Sequence, residues 1–186
     1  MNYQWLEWAK RIQALSQTGL AFSKDVFDIE RYEELRKISV EIMSEYTGLE
    51  KNKINDLFTN EKGYQTPKVD VRGVVFKDNQ ILMVKENKDE KWALPGGFCD
   101  IGLSPSENVV KEIKEESGFD VVPSRLIAVF DKNKHPHPPD PYHFYKLFIL
   151  CEIIGGEATA GIETSNVQFF RFTKKTTKRL FFRLYI

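Results

Sequence analysis

The chain has 186 residues, 41% of them hydrophobic and 29% charged, which fits a folded globular protein of one domain plus an appendage. Its 27 basic and 27 acidic residues balance to a formal charge of zero, which excludes a global field that would recruit nucleic acid or an anionic membrane. No run approaches the ~20 apolar residues of a membrane span. Residues 1–15 include Glu7, Lys10 and Arg11 and have no signal-peptide core. Cys99 and Cys151, without an export signal, read as reduced thiols, so a cytoplasmic protein is expected.

Residues 1–63 read as a small all-α domain. Trp5, Trp8, Ala9, Ile12 and Leu15 recur at helical spacing. Asp28 is placed to cap a second helix with a stripe of Tyr32, Leu35, Ile38, Ile42, Met43 and Tyr46, ended by Gly48. A short third helix holds Ile54, Leu57 and Phe58. These stripes are expected to pack internally; the alternative is that one forms a dimer face or covers a substrate.

A linker at Gly63–Pro67 opens a second domain, 64–186, in which the period changes. Val69 to Phe76 and Ile81 to Val84 read as strands around a Lys77–Gln80 turn. Trp92-Ala93-Leu94-Pro95 leads into Gly96-Gly97. Ser104 as N-cap, Pro105 at the first helical position and Glu107 completing a capping box start one helix. Strands follow at Val121-Val122, Leu126–Phe130, Phe144–Ile154 and Val167–Phe172. One helix among many strands predicts a mixed α/β sheet.

The chemistry is concentrated on that helix. Glu112, Glu115 and Glu116 stand at i, i+3 and i+4, where like charges repel by a few tenths of a kcal/mol, roughly. A hard divalent cation, Mg²⁺ or Mn²⁺, suits such all-oxygen ligands and bridges to substrate phosphates.

At these residues the chain closely resembles the Nudix box, Gly-x5-Glu-x7-Arg-Glu-U-x-Glu-Glu-x-Gly-U, with U a bulky aliphatic residue. Gly97, Glu112, Glu115, Glu116 and Gly118 take their places at the full spacing. Leu103 replaces the first glutamate and Lys111 the arginine, keeping its charge but not its bidentate fork. The N-terminal helices, the Thr66–Arg72 segment and the Trp92–Gly97 run resemble a bacterial Nudix branch with an extra helical domain. That branch includes a CDP-choline pyrophosphatase and many proteins labelled ADP-ribose pyrophosphatase.

The resemblance implies a mixed-sheet α/β/α sandwich behind the helical domain, and a pyrophosphohydrolase that yields a nucleoside monophosphate and a phosphorylated second product. It implies metal ligands at Glu112, Glu115, Glu116 and the Gly97 carbonyl. Lys111 would orient a catalytic glutamate. The general base would be one of Glu112, Glu115 and Glu116 or a glutamate on a later loop, where Glu163 matches the placement of a later family glutamate or is a solvated loop charge. Homodimerisation is expected by the same analogy. The partner is expected to be a small nucleoside diphosphate derivative. The competing readings are a non-catalytic nucleotide sensor and an RNA-processing hydrolase, the latter requiring a local basic patch.

Several residues are candidates for substrate binding. Arg72 and Lys85 lie on strands near the expected cleft; the alternative for Arg72 is an ion pair. The proline-rich Asp131–His143 stretch carries all three histidines, and His135, His137 and Tyr142 are its candidates, with Tyr145 just beyond. From Arg171 to Ile186 there is no acidic residue and six are Lys or Arg. The branch normally continues with an acidic loop and a final helix, so a frameshift or truncation is one expectation for this tail.

Overall fold

The structure is a computed structural model that describes residues 3–59, 63–135 and 142–171. The basic tail beyond Arg171 and His137 therefore lie outside the described residues. The chain divides into two compact units, Met1–Pro67 with Pro139–Tyr142, and Lys68–Pro138 with His143–Ile186. Among the described residues no helix is long and apolar enough to cross a membrane.

The first unit contains α1 (Gln4–Phe22), α2 (Val26–Thr47) and α3 (Lys51–Thr59). Asp25, not Asp28, caps α2: its side chain accepts from the Phe27 and Asp28 amides, and extended backbone at position 25 leaves room for that geometry. Gly48 ends α2 in the left-handed region at φ 69°. The short connection folds α1 and α2 into an antiparallel hairpin, seen in Ser16 Oγ donating to the Tyr32 carbonyl and Ser39 Oγ to the Ala9 carbonyl. This packing differs from the expected stripe. α1 turns Leu6, Ala9, Gln13, Ser16 and Gln17 inward, while Trp8 and Leu15 face out. Small and hydrogen-bonded polar residues let the two backbones approach closely, and the Tyr32 ring lies against Gly19, which leaves no room for the larger α1 side chains.

The second unit is a mixed sheet with one helix. β1 (Lys68–Lys77) and β2 (Gln80–Glu86) form a hairpin. Asp78 and Asn79 adopt φ 50° and 58°, the two-residue geometry that matches strand twist. β1 runs parallel to β5 (Phe144–Gly156), and β4 (Phe119–Asp131) lies antiparallel on the far side of β5. β4 is one strand, not the two expected, because bulges near Val121, Arg125 and Ala128 absorb the interruption at Pro123. β6 (Thr164–Arg171) lines one edge of β2, while β1 and β3 (Trp92–Ala93) share the other.

The helix α4 (Pro105–Ser117) packs Val109 and Ile113 on Val71, Val75, Leu82 and Ile149. Gly73 has no Cβ to meet Ile113, so helix and strand come close. Ile113 is fully buried, worth about 1.5–3 kcal/mol of transfer free energy. A second cluster of Val74, Ile81, Met83, Leu94 and Phe148 fills a further part of the unit. Parallel β1–β5 pairing thus fixes the floor on which α4 rides, and α4 carries the glutamates.

Candidate active site

The start of α4 sets which residues share its face. Ser104 Oγ accepts from the Glu107 amide at 3.2 Å, and Glu107 Oε2 accepts from the Ser104 amide at 2.7 Å, a complete capping box. Buried Asn108 pins the preceding loop: its Oδ1 accepts from the Asp100 amide at 2.8 Å, and its Nδ2 donates to the Leu103 and Ser104 carbonyls.

A cleft of about 1030 Å³ opens beside this helix, lined by Asp70, Arg72, Glu86, Gly96, Gly97, Lys111, Glu112, Glu115, Glu116 and Glu163. Three elements and three loops contribute to it, the third being the turn after β2 with Asn87 and Lys88. Glu116 is buried, and its Oε2 accepts from the Gly96 amide at 2.8 Å. Burial pushes its carboxyl up to about 7, against the opposing pull of that amide and of Arg72. Burial also raises Glu112, with Glu115 and Glu163 adding like charge.

Glu163 reaches the cleft through backbone ties. Asn87 donates from its amide to the Glu163 carbonyl and from Nδ2 to the Ile162 carbonyl, both at 2.9 Å. Thr164 Oγ1 accepts from the Gly161 amide and donates to the Glu116 carbonyl, both at 2.8 Å. The loop that ends at Glu163 is thereby stitched to the last turn of α4.

Arg72 lies on the floor. Its Nε and Nη2 donate to the two carboxylate oxygens of Asp70, each at 2.9 Å, and Nη1 donates to the Leu94 carbonyl at 3.2 Å. Desolvation works against the guanidinium charge, but Asp70 outweighs it and holds Arg72 firmly protonated. Lys146, on β5 opposite Asp70, is buried, and desolvation with the nearby Arg72 charge lowers its ammonium to about 8. Lys111 Nζ donates to Asp100 Oδ2 at 2.7 Å and stands 3.6 Å from Glu115 Oε2; the Asp100 bond raises its pKa.

The donor set fits a hard cation that is shared with substrate. Among the described residues no three carboxylates already converge as a cage. Mg²⁺ is typically held by one or two carboxylates plus substrate phosphates, so a cage is not required. Gly97 brings the backbone close to Glu112, since a Cβ there would stand only 3.0 Å from Glu112 Oε2, and its carbonyl accepts from the Val71 amide at 2.9 Å with one lone pair left for a cation. Glu112, Glu115 and Glu116, with the Gly97 carbonyl, are the residues that would hold the ion, which when bound neutralises phosphate charge and acidifies water.

The other candidates lie apart from the cleft lining. Lys85 pairs with Glu90 at 2.9 Å. His135 packs on the Phe130 ring, and Tyr145 on His143, whose Nε2 is 3.0 Å from Asp131 Oδ1. Tyr142 belongs to the first unit. Asp70, Glu86, Gly96 and Asn87 were missed by sequence reasoning. Asp70 was readable in principle, since residues two apart on a strand share a face.

Residues 66–180 match the NUDIX domain, and residues 3–58 match a family described as a UDP-X-like, N-terminal oligomerisation domain. A Bacillus subtilis (strain 168) protein with the provisional name ADP-ribose pyrophosphatase YjhB is 62% identical over 167 residues, covering 90% of this chain and 80% of that protein. A crystal structure of an ADP-ribose pyrophosphatase from Streptococcus suis 89-1591 shares 47% identity with TM-score 0.51, covering 56% of this chain and 74% of that one. A crystal structure of a UDP-X diphosphatase shares 33% identity with TM-score 0.56, covering 99% and 95%. With its NUDIX match spanning the cleft and its glutamate helix, this chain belongs to the Nudix family and is a Nudix pyrophosphohydrolase.

Proposed function

We propose that the chain hydrolyses the diphosphate bond of a nucleoside diphosphate joined to a second group, with ADP-ribose the first candidate and CDP-choline the second. The observation that carries this reading is one cleft in which Glu112, Glu115, Glu116 and Glu163 face a protonated, fixed Arg72. A cation at the glutamates and the guanidinium together match the two adjacent phosphates of a diphosphate. Glu163, outside the helix and coupled in charge to Glu112, is assigned to take the proton of the attacking water. Lys111 holds Glu115 and Asp100 in place. The relatives named for ADP-ribose and UDP-X support the substrate class. Mg²⁺ or Mn²⁺ is the proposed cofactor, a homodimer formed through residues 3–58 the proposed assembly, and the two domains are taken as 1–63 and 64–186.

The test is phosphate release after phosphatase coupling, from ADP-ribose, CDP-choline, UDP-sugars, nucleoside triphosphates and triphosphorylated RNA, with Mg²⁺, Mn²⁺ or chelator. Metal-dependent turnover of one diphosphate compound, reduced about 10²-fold or more in Glu115→Gln, is expected. Nucleotide binding without any turnover would make the chain a sensor; turnover of RNA alone would make it an RNA-processing enzyme.

A further inference from the structure

The chain continues past Gly97 along the edge of β1. The Gly97 carbonyl accepts from the Val71 amide and the Cys99 amide donates to the Val69 carbonyl, both at 2.9 Å, and Phe98 pairs with Asp70 in antiparallel register. Side chains alternate along such a segment, and paired residues share a face. Cys99 turns toward the core beneath α4, and Phe98 turns the other way, to the side of Asp70 and Arg72. There its ring stands 51% accessible on the wall of the cleft. It rests nearly perpendicular on the ring of Phe144, with centroids 5.4 Å apart and planes at 82°. Phe144 is buried and carries the Lys132 ammonium 4.1 Å from its centroid, so the support is itself held. Among the described residues Phe98 is the only aromatic ring on this lining, which is otherwise charged and polar groups, glycines and Ile162. A ring fixed by backbone bonds on both sides is a preformed surface, and little ordering remains to be done when a ligand lies on it.

We infer that Phe98 is the platform on which the nucleobase of the substrate stacks. The inference rests on the reading of this cleft as a hydrolase of nucleoside diphosphate derivatives and adds the base subsite to it. The chemistry of the lining carries the choice of ligand group. Phosphates are met by cations, and the hydroxyls of a sugar by the many polar groups of the cleft. The base is the flat, uncharged, π-faced part of such a substrate, and Phe98 is the flat apolar surface that matches it. The ring also directly follows Gly97, whose carbonyl is the proposed extra ligand of the cation. A phosphate at that cation and a base on that ring are therefore served by neighbouring residues, as the two ends of one nucleotide require. Stacking tolerates any base, because every base has a π-face. Phe98 thus sets affinity for nucleotides as a class, and hydrogen bonds at the base edge set the choice among them.

Calorimetric titration of the full chain in Mg²⁺ tests this, with AMP, CMP and UMP as base-bearing probes and inorganic pyrophosphate as the base-free one. Phe98→Ala is expected to weaken nucleotide binding about 5- to 150-fold, the range of one stacked base, and to leave pyrophosphate within about two-fold. Phe98→Trp should restore the nucleotides. Phe98→Leu keeps an apolar contact for Phe144 but has no π-face, so it should melt near the parent temperature and still bind nucleotides weakly. The fluorescent etheno derivative of AMP, whose emission stacking quenches, should dim on the parent and on Phe98→Trp but not on Phe98→Leu. Equal losses for nucleotides and pyrophosphate would overturn the inference and make Phe98 a prop for the Gly97 backbone. Unchanged nucleotide binding in Phe98→Ala would also overturn it and leave the hydrolase reading standing; a loss in Ile162→Ala would then move the base to the Glu163 loop. A parent that binds pyrophosphate and no nucleotide would overturn both.

Discussion

The Gly96 amide donates to Glu116 Oε2 across 2.8 Å, joining the loop after β3 to the last turn of α4. One bond therefore does two things. It fixes the glycine pair against the helix, and it gives a buried carboxylate one compensating donor. The compensation is partial, so burial still lifts Glu116 to about 7 from an ordinary 4.5.

That lift predicts how cation binding depends on pH. In the metal-free chain Glu116 keeps its proton up to about 7, whereas the unfolded chain releases it near 4.5. The native state binds more protons in that window, so its stability falls as pH rises through it. A cation needs the carboxylate and must displace the proton below about 7. Calorimetric Mg²⁺ titration at pH 6 should release close to one proton and be weaker than at pH 8, where release is near zero. In Glu116→Gln this difference should vanish. Equal affinity and no proton release at pH 6 in the parent would sink the prediction.

The two adjacent glycines should respond differently to alanine. Gly96 sits at φ 142°, and a Cβ there would run into the Val71 carbonyl of β1, which is backbone and cannot yield cheaply. Gly96→Ala should lower the melting temperature. At Gly97 the nearest obstacle is the movable end of Glu112, 3.0 Å away. Gly97→Ala should melt near the parent temperature yet lose turnover, because a ligand carboxylate is displaced. Differential scanning fluorimetry and a rate assay on both variants separate the two; equal melting and equal rates would refute the distinction.

Much of this site was legible in the sequence because its signals are local. Ser104, Pro105 and Glu107 fix the first turn of α4, and once the register is known Glu112, Glu115 and Glu116 must share a face. What could not be read came from pairings distant in the chain. The Asn87–Glu163 tie joins residues 76 apart in number, and nothing in either neighbourhood announces it. The α1 stripe misled for a different reason. Period alone says which residues share a face, not which face is covered, and here Ser16 and Gln17 won the interior through hydrogen bonds to the Tyr32 and Gly63 carbonyls, with close approach at Gly19. Asp25 displaced Asp28 as cap because backbone geometry, not composition, chooses among nearby acidic residues.

The Asp70–Arg72 pair sits on side chains that are 5% and 18% accessible, so removing one partner leaves a largely buried charge. Asp70→Asn should cost about 3 kcal/mol, or on the order of 10 °C in melting temperature for a chain of this size. Replacing both, as Asp70→Leu with Arg72→Met, should recover most of the stability and none of the substrate affinity. Arg72→Lys keeps the charge and loses the fork, so KM should rise more than kcat falls. Urea unfolding and steady-state kinetics on the three variants decide this. A stable Asp70→Asn with unchanged KM would show that the pair neither supports the fold nor aims the guanidinium.

Lys146 gives a second pH signature, of the opposite kind to that of Glu116. Burial, with Arg72 and Lys132 nearby, lowers its folded-state pKa from 10.5 to about 8, while Asp70 and Glu86 pull it back up. Between about 8 and 10.5 the unfolded chain holds the proton and the native chain does not, so native stability from this group rises with pH through that window. The penalty of a charged, buried ammonium is fully present below 8 and is relieved above it; the drop corresponds to about 3 kcal/mol. Lys146→Met has no proton to lose. Urea unfolding of parent and variant at pH 7.5 and pH 10 should therefore show the parent gaining on the variant as pH rises, by up to that amount. Tyrosines and surface lysines titrate in the same range, but they do so in both chains and cancel in the difference. Parallel stability curves for the two chains would mean that Lys146 is solvated in the native state or held charged by Asp70, and that β5 carries no buried titration behind Arg72.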